Sequence, residues 1–112
     1  MLTVDGETYK MSITQHDNAI LNFKLEDETL SAGDKVLFLA KKTLDQDDYD
    51  IEVEVTEFTD GIAKIFISEH DTMIEAGTYY YSICVHTNDG RISTVISSKL
   101  KVIAGVHKWK VY

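Results

Sequence analysis

Asp45, Asp47, Asp48 and Asp50 are the densest set of side chains here that could do chemistry. Hard oxygen ligands at alternating positions are what calcium takes. An EF-hand loop needs glycine at its sixth position and glutamate at its twelfth, and counting from Asp45 those places hold Asp50 and Thr56. An acidic solvated turn is the favoured reading of the stretch. His16, His70, His86 and His107 are dispersed, with no pair at zinc spacing. Cys84 lies two residues before His86, and alternate residues of a strand share a face, so thiol and imidazole could meet. That face is expected to point outward, where little would lower the thiol pKa. Gly61, Gly77 and Gly90 read as isolated turn glycines, since no lysine-serine pair or helix start follows them as a phosphate loop requires. No catalytic residue, metal site or cofactor is expected.

The balance of charge narrows the partners. Lys and Arg total 11 against 19 Asp and Glu, a formal net charge of -8, which repels a phosphate backbone. Tyr79, Tyr80 and Tyr81 could stack bases, but in so acidic a chain they read as an aromatic core strand with Tyr80 turned outward. No nucleic-acid partner is expected. The stretch Met1 to Met11 has no apolar run of signal-peptide type, and no window is apolar enough for membrane insertion as a helix. One cysteine rules out an internal disulfide, so stability has to come from packing. The chain of 112 residues, 44% hydrophobic and 27% charged, suits one folded domain over 1–112, with a core from about 9 to 104 and a tail at 106–112.

The elements that would position these residues are strands. Period-two alternation in short runs bounded by Gly, Asn or Asp dominates the chain. The runs are Tyr9 to Ile13, Ala19 to Leu25, Lys35 to Lys41, Ile51 to Val55, Ile62 to Ile67, Tyr79 to His86 and Arg91 to Ile103. In the first, Tyr9, Met11 and Ile13 share a side. Val36, Phe38 and Ala40 alternate with Leu37 and Leu39, so that run is apolar on both faces and is either central or covered by a partner. Asp60-Gly61 suits a tight hairpin joining Ile51–Val55 to Ile62–Ile67 as a meander. Ser68 followed by Asp71 could cap one helical turn in a crossing loop. Ile92, Ile96, Leu100 and Val102 fall on one phase. About seven strands at this spacing predict an all-β, immunoglobulin-like antiparallel β-sandwich.

The run Glu75 to Tyr81 resembles the corner before the sixth strand of an immunoglobulin-type domain. The resemblance makes Tyr79 the corner tyrosine behind Gly77, its hydroxyl bonded to main chain a few residues upstream. Tyr81 stands where antibody domains carry their second cysteine, and Phe38 stands in for their core tryptophan. From Ile13 to Val106 the order of pieces is similar to the N-terminal Ig-like domains of phage baseplate upper proteins and related prophage tail structural proteins. The pieces are Ile13 to Asp17 before Leu21, Phe23 and Leu25; Gly33 to Phe38; Asp60-Gly61; Asp71-Thr72; Gly77 to Tyr81; and Asn88 to Arg91.

That resemblance implies a non-enzymatic virion component of tail or baseplate, made in the bacterial cytoplasm without a signal peptide. Its partners would be other virion proteins or further copies of itself. Leu37, Leu39 and Tyr80 are candidate partner contacts, joined by Trp109 and Tyr112 from the tail, where Lys108 and Lys110 flank the tryptophan. The alternative is a carbohydrate- or host-surface-binding module, with Tyr80, Trp109 and Tyr112 as the stacking aromatics. A small hydrolase or metal enzyme ranks last.

Overall fold

Alternating apolar and polar residues favour extended chain because each face then has one character. The computed structural model describes residues 2–105. It contains β1 (Thr3–Val4), β2 (Met11–Thr14), β3 (Ala19–Lys24), β4 (Lys35–Lys41), β5 (Ile51–Val55), β6 (Ile62–Ile67), β7 (Gly77–His86) and β8 (Ile92–Ile103). These make a six-stranded sheet ordered β1-β2-β8-β7-β4-β5 and a two-stranded sheet of β3 and β6. The protein is an immunoglobulin-like β-sandwich whose chain repeatedly crosses between two facing layers.

The inner face of the larger sheet supplies Met11 and Ile13, Val36, Phe38 and Ala40, Tyr79, Tyr81, Ile83 and Val85, and Leu100 and Val102, all buried. Phe23, Ala63, Ile65 and Ile67 meet them from the smaller sheet. Phe38 and Tyr81 stack at the centre, with ring centroids 5.4 Å apart and planes 19° from parallel. These are the positions that the Ig resemblance assigned to the missing tryptophan and cysteine, so an aromatic pair occupies the place of a covalent bridge. The Tyr81 hydroxyl donates to the Tyr9 carbonyl. Burial pushes the Tyr81 phenol up to about 12.

Several local expectations are corrected. The strands are not all antiparallel, because β2 pairs with β8 in parallel from Met11↔Leu100 to Thr14↔Ile103. A parallel pair needs a long connection, and everything from β3 to β7 serves as one. The count rises to eight because Thr3–Val4 forms a short edge strand. The strand expected over Tyr9–Ile13 starts later. Tyr9 sits at φ 59 and closes a turn in which Asp5 accepts from the Glu7 and Thr8 amides, so its ring is exposed and does not join Met11 and Ile13.

The expected meander is absent too. Asp60 (φ 54) and Gly61 (φ 75) do make a tight turn, closed by reciprocal Thr59–Ile62 hydrogen bonds. Yet β5 pairs with β4, and β6 pairs with β3 in the other layer. The turn therefore carries the chain across the sandwich. In β8, a register shift makes Ile83 face Ile96 while Cys84 faces Thr94, leaving Val95 as an extra residue. One inserted residue reverses the phase of all that precede it. Ile92, expected inside with Ile96 and Leu100, is consequently 71% exposed.

Phe38→Ala is expected to cost about 3–5 kcal/mol, the range for deleting a buried aromatic, read from denaturant midpoints. A second outcome concerns pH. The Tyr81 phenol ionises near 10 when unfolded and about 12 when folded, so the folded state holds the extra proton between them. Stability should decline as pH rises from about 10 to 12, and Tyr81→Phe should flatten that slope in midpoints measured across the range.

Candidate functional site

Tyr79 is the third residue of β7, a central strand of the larger sheet, just after the chain has crossed from the smaller one. Its hydroxyl donates to the Glu75 carbonyl at 2.6 Å, and its ring is buried. Gly77 between them has φ 150, a value that residues bearing Cβ rarely adopt. Lys42 closes the corner from outside through a 2.8 Å ion pair with Glu75, which raises the lysine pKa. The preceding loop is held by reciprocal bonds. The Ser68 amide donates to the Asp71 carboxylate at 2.8 Å, and the Asp71 amide donates to Ser68 Oγ at 3.1 Å. Buried Thr72 donates to the Asp17 carbonyl at 2.8 Å, tying this loop to the β2–β3 turn.

Sequence reading missed a clasp at the other end of β7. Asp34 is buried and accepts from the Ser31 amide at 2.9 Å and the Asn88 amide at 2.8 Å. These two backbone donors hold its carboxyl below the ordinary 3.8. At Gly33 (φ 95) a Cβ would lie 2.8 Å from Asn88 Cγ, so only glycine lets the β3–β4 loop approach the β7–β8 hairpin this closely. Arg91 adds an ion pair to Glu28 at 2.9 Å. A buried-side aspartate beside a glycine is the local signature, but its partner lies 54 residues away and leaves no mark in the spacing.

The candidate partner residues do converge, on the outer face of the larger sheet. Leu37 stands between Glu54 and Cys84, and Leu39 between Glu52 and Ser82. Both are half-buried, while Tyr80 is 40% exposed and Leu44 71% exposed. Leu39, Leu44, Tyr49 and Tyr80 line a shallow groove of about 360 Å³ with Lys41, Ser82, Cys84 and Ser97. Lys41 Nζ lies 4.9 Å above the Tyr49 ring, and Lys99 Nζ lies 5.9 Å from that of Tyr80. Trp109 and Tyr112 lie outside the described residues.

The acidic loop is organised by its own hydrogen bonds. Asp50 accepts from the Lys42 amide at 2.8 Å and from Gln46 Nε2 at 3.0 Å, while Gln46 Oε1 accepts from the Thr43 amide at 2.9 Å. Among the described residues no group of three or more His, Cys, Asp and Glu side chains could hold a metal ion. Cys84 is a free thiol 3.6 Å from the Thr94 hydroxyl.

Sheet order, layer crossings and corner define an immunoglobulin-like domain. No family model and no curated protein matches the chain. Among solved structures it is similar to the first Ig-like domain of human CD48 antigen, at 17% identity and a TM-score of 0.43, over 100% of this chain and 97% of that one.

Tyr79→Phe should lower stability by about 1 kcal/mol, the usual worth of one such hydrogen bond, with the fold unchanged by circular dichroism. Asp34→Ala should lower the unfolding midpoint at neutral pH. Because its folded pKa lies below 3.8, the Asp34 contribution is complete above that value and lost as pH falls through the folded one. Wild type and variant midpoints should therefore converge in acid.

Proposed function

We propose that this chain is a non-enzymatic structural domain of a phage or prophage particle, a tail or baseplate component that works by protein–protein contact. The observation that carries the reading is the outer face of β4 and β7. Leu39 sits among Tyr80, Tyr49 and Leu44, and half-buried Leu37 follows it along the same face of β4, where a solvated sheet face would carry polar side chains. Aromatic and aliphatic residues at the middle of a patch with charge at its rim are what a protein contact uses, and Glu52, Glu54, Lys41 and Lys99 supply that rim. The similarity in sequence order to baseplate Ig-like domains supports the choice of assembly. For the carbohydrate-binding alternative, sugar stacking needs a bare ring face, and of its candidate aromatics Tyr80 has Lys99 Nζ 5.9 Å from its ring, while Trp109 and Tyr112 lie outside the described residues.

Captured against purified tail proteins, the wild-type chain should retain a partner. Leu39→Asp combined with Tyr80→Ala should weaken that capture at least tenfold, by about 1.4 kcal/mol or more, while leaving the unfolding midpoint close to wild type. Unaltered capture by a folded double variant would contradict the assignment of this face.

A further inference from the structure

The smaller sheet has only two strands, and along the outer edge of β3 no strand is hydrogen-bonded among the described residues. Beside that edge runs a groove of about 570 Å³. Consecutive β3 residues Asn22, Phe23 and Lys24 line it, so it lies edge-on to the strand, and Val85, Val95 and Ile96 form its apolar floor. The opposite wall is also an open edge, because β2 pairs with β8 only over Leu100–Ile103. The vacancy has the shape of one missing strand, bounded by backbone donors and acceptors that favour strand addition.

The rim is acidic. Glu26 and Asp27 form no ion pair among the described residues and outnumber Lys24, while Glu28 is already held by Arg91. In a chain of net charge -8, the stretch 106–112 stands apart: it carries Lys108 and Lys110 and no acid. Over 108–111 its sequence alternates, with Trp109 and Val111 on one phase and the two lysines on the other, the pattern of a strand with one dry side. Length decides whose groove it enters. From Gly105 to Trp109 the backbone reaches at most about 14 Å. Along β8, Ile96 to Ile103 alone covers roughly 23 Å. Trp109 falls short of its own groove.

We infer that residues 106–112 of one copy add as a strand against the free edge of β3 in a second copy, seating Trp109 and Val111 over Val95 and Ile96 and setting Lys108 and Lys110 against Glu26 and Asp27. Such a contact is head-to-tail and propagates from copy to copy. It deepens the assembly role proposed above by naming a second copy of this chain as the partner, on a surface separate from the outer face.

Sedimentation of the full chain over a concentration series tests this. Association should grow with concentration and weaken at least tenfold in Trp109→Ala and in Val95→Lys. Glu26→Lys with Asp27→Lys should weaken it as well, and adding Lys108→Glu with Lys110→Glu should restore it. A synthetic peptide of residues 106–112, titrated into Trp109→Ala chain, should shift the amide resonances of β3. Equal association in folded variants, a monomer whose β3 amides ignore the peptide, or a Trp109 effect independent of concentration would each overturn the inference. Leu39→Asp separates the two readings. If it abolishes self-association that Trp109→Ala spares, the outer face is the self-contact and strand addition fails. Loss of tail-protein capture with self-association intact leaves strand addition standing.

Discussion

A two-stranded layer has to close a six-stranded one. Everything distinctive about this sandwich follows from that difference in width. Apolar burial is the main driving force of folding, and a two-stranded cover leaves part of the larger sheet to be shielded by loops and edges. The buried inner residues run from Met11 and Ile13 on β2 through the end of β8, β7 and β4 to Ile51 on β5, and the Phe38–Tyr81 stack sits among them. The remainder is managed by other means. The β8 bulge turns Ile92 outward, the short β1 strand guards one edge, and no strand among the described residues pairs with the outer edge of β3.

A narrow cover also raises the demands on the connections. Each time the chain leaves one layer for the other, its backbone polar groups lose ladder partners and need replacements. Tyr79 and Glu75 do this before β7, Ser68 and Asp71 at the loop ahead of it, and Asp34 between two loops beyond its far end. These joints hold β7 at both ends. The central strand is therefore the best-determined element, and its outward residue Tyr80 is presented on a rigid base.

What the sequence disclosed depended on the range of the interaction. Alternation is local, so β3 to β7 and the inner set Val36, Phe38, Tyr81 and Ile83 were legible. The corner was legible because Glu75, Gly77 and Tyr79 lie within one turn of each other. Asp34 was not, since its partner amide is distant in the chain. The transfer of Ile62–Ile67 to the other layer was not either, because a tight Asp-Gly turn looks the same whether it pairs two strands or redirects one. A single added residue at Val95 is invisible to period-two reading until the partner strand is known. The outer patch was visible as excess apolar character at Leu37 and Leu39, whereas Leu44 and Tyr49 joined it only through the fold of the acidic loop.

The fold joins a tightly tied central strand to a β3 whose outer edge pairs with no strand among the described residues. Residue-resolved amide hydrogen exchange on dilute monomer tests that account most directly. Amides of β4 and β7 should exchange only through global unfolding, while β3 should alternate between slow amides facing β6 and fast ones facing the groove. Unbroken protection along β3 would show a strand already paired on both sides, and the account of a narrow layer with a vacant β3 edge would be wrong.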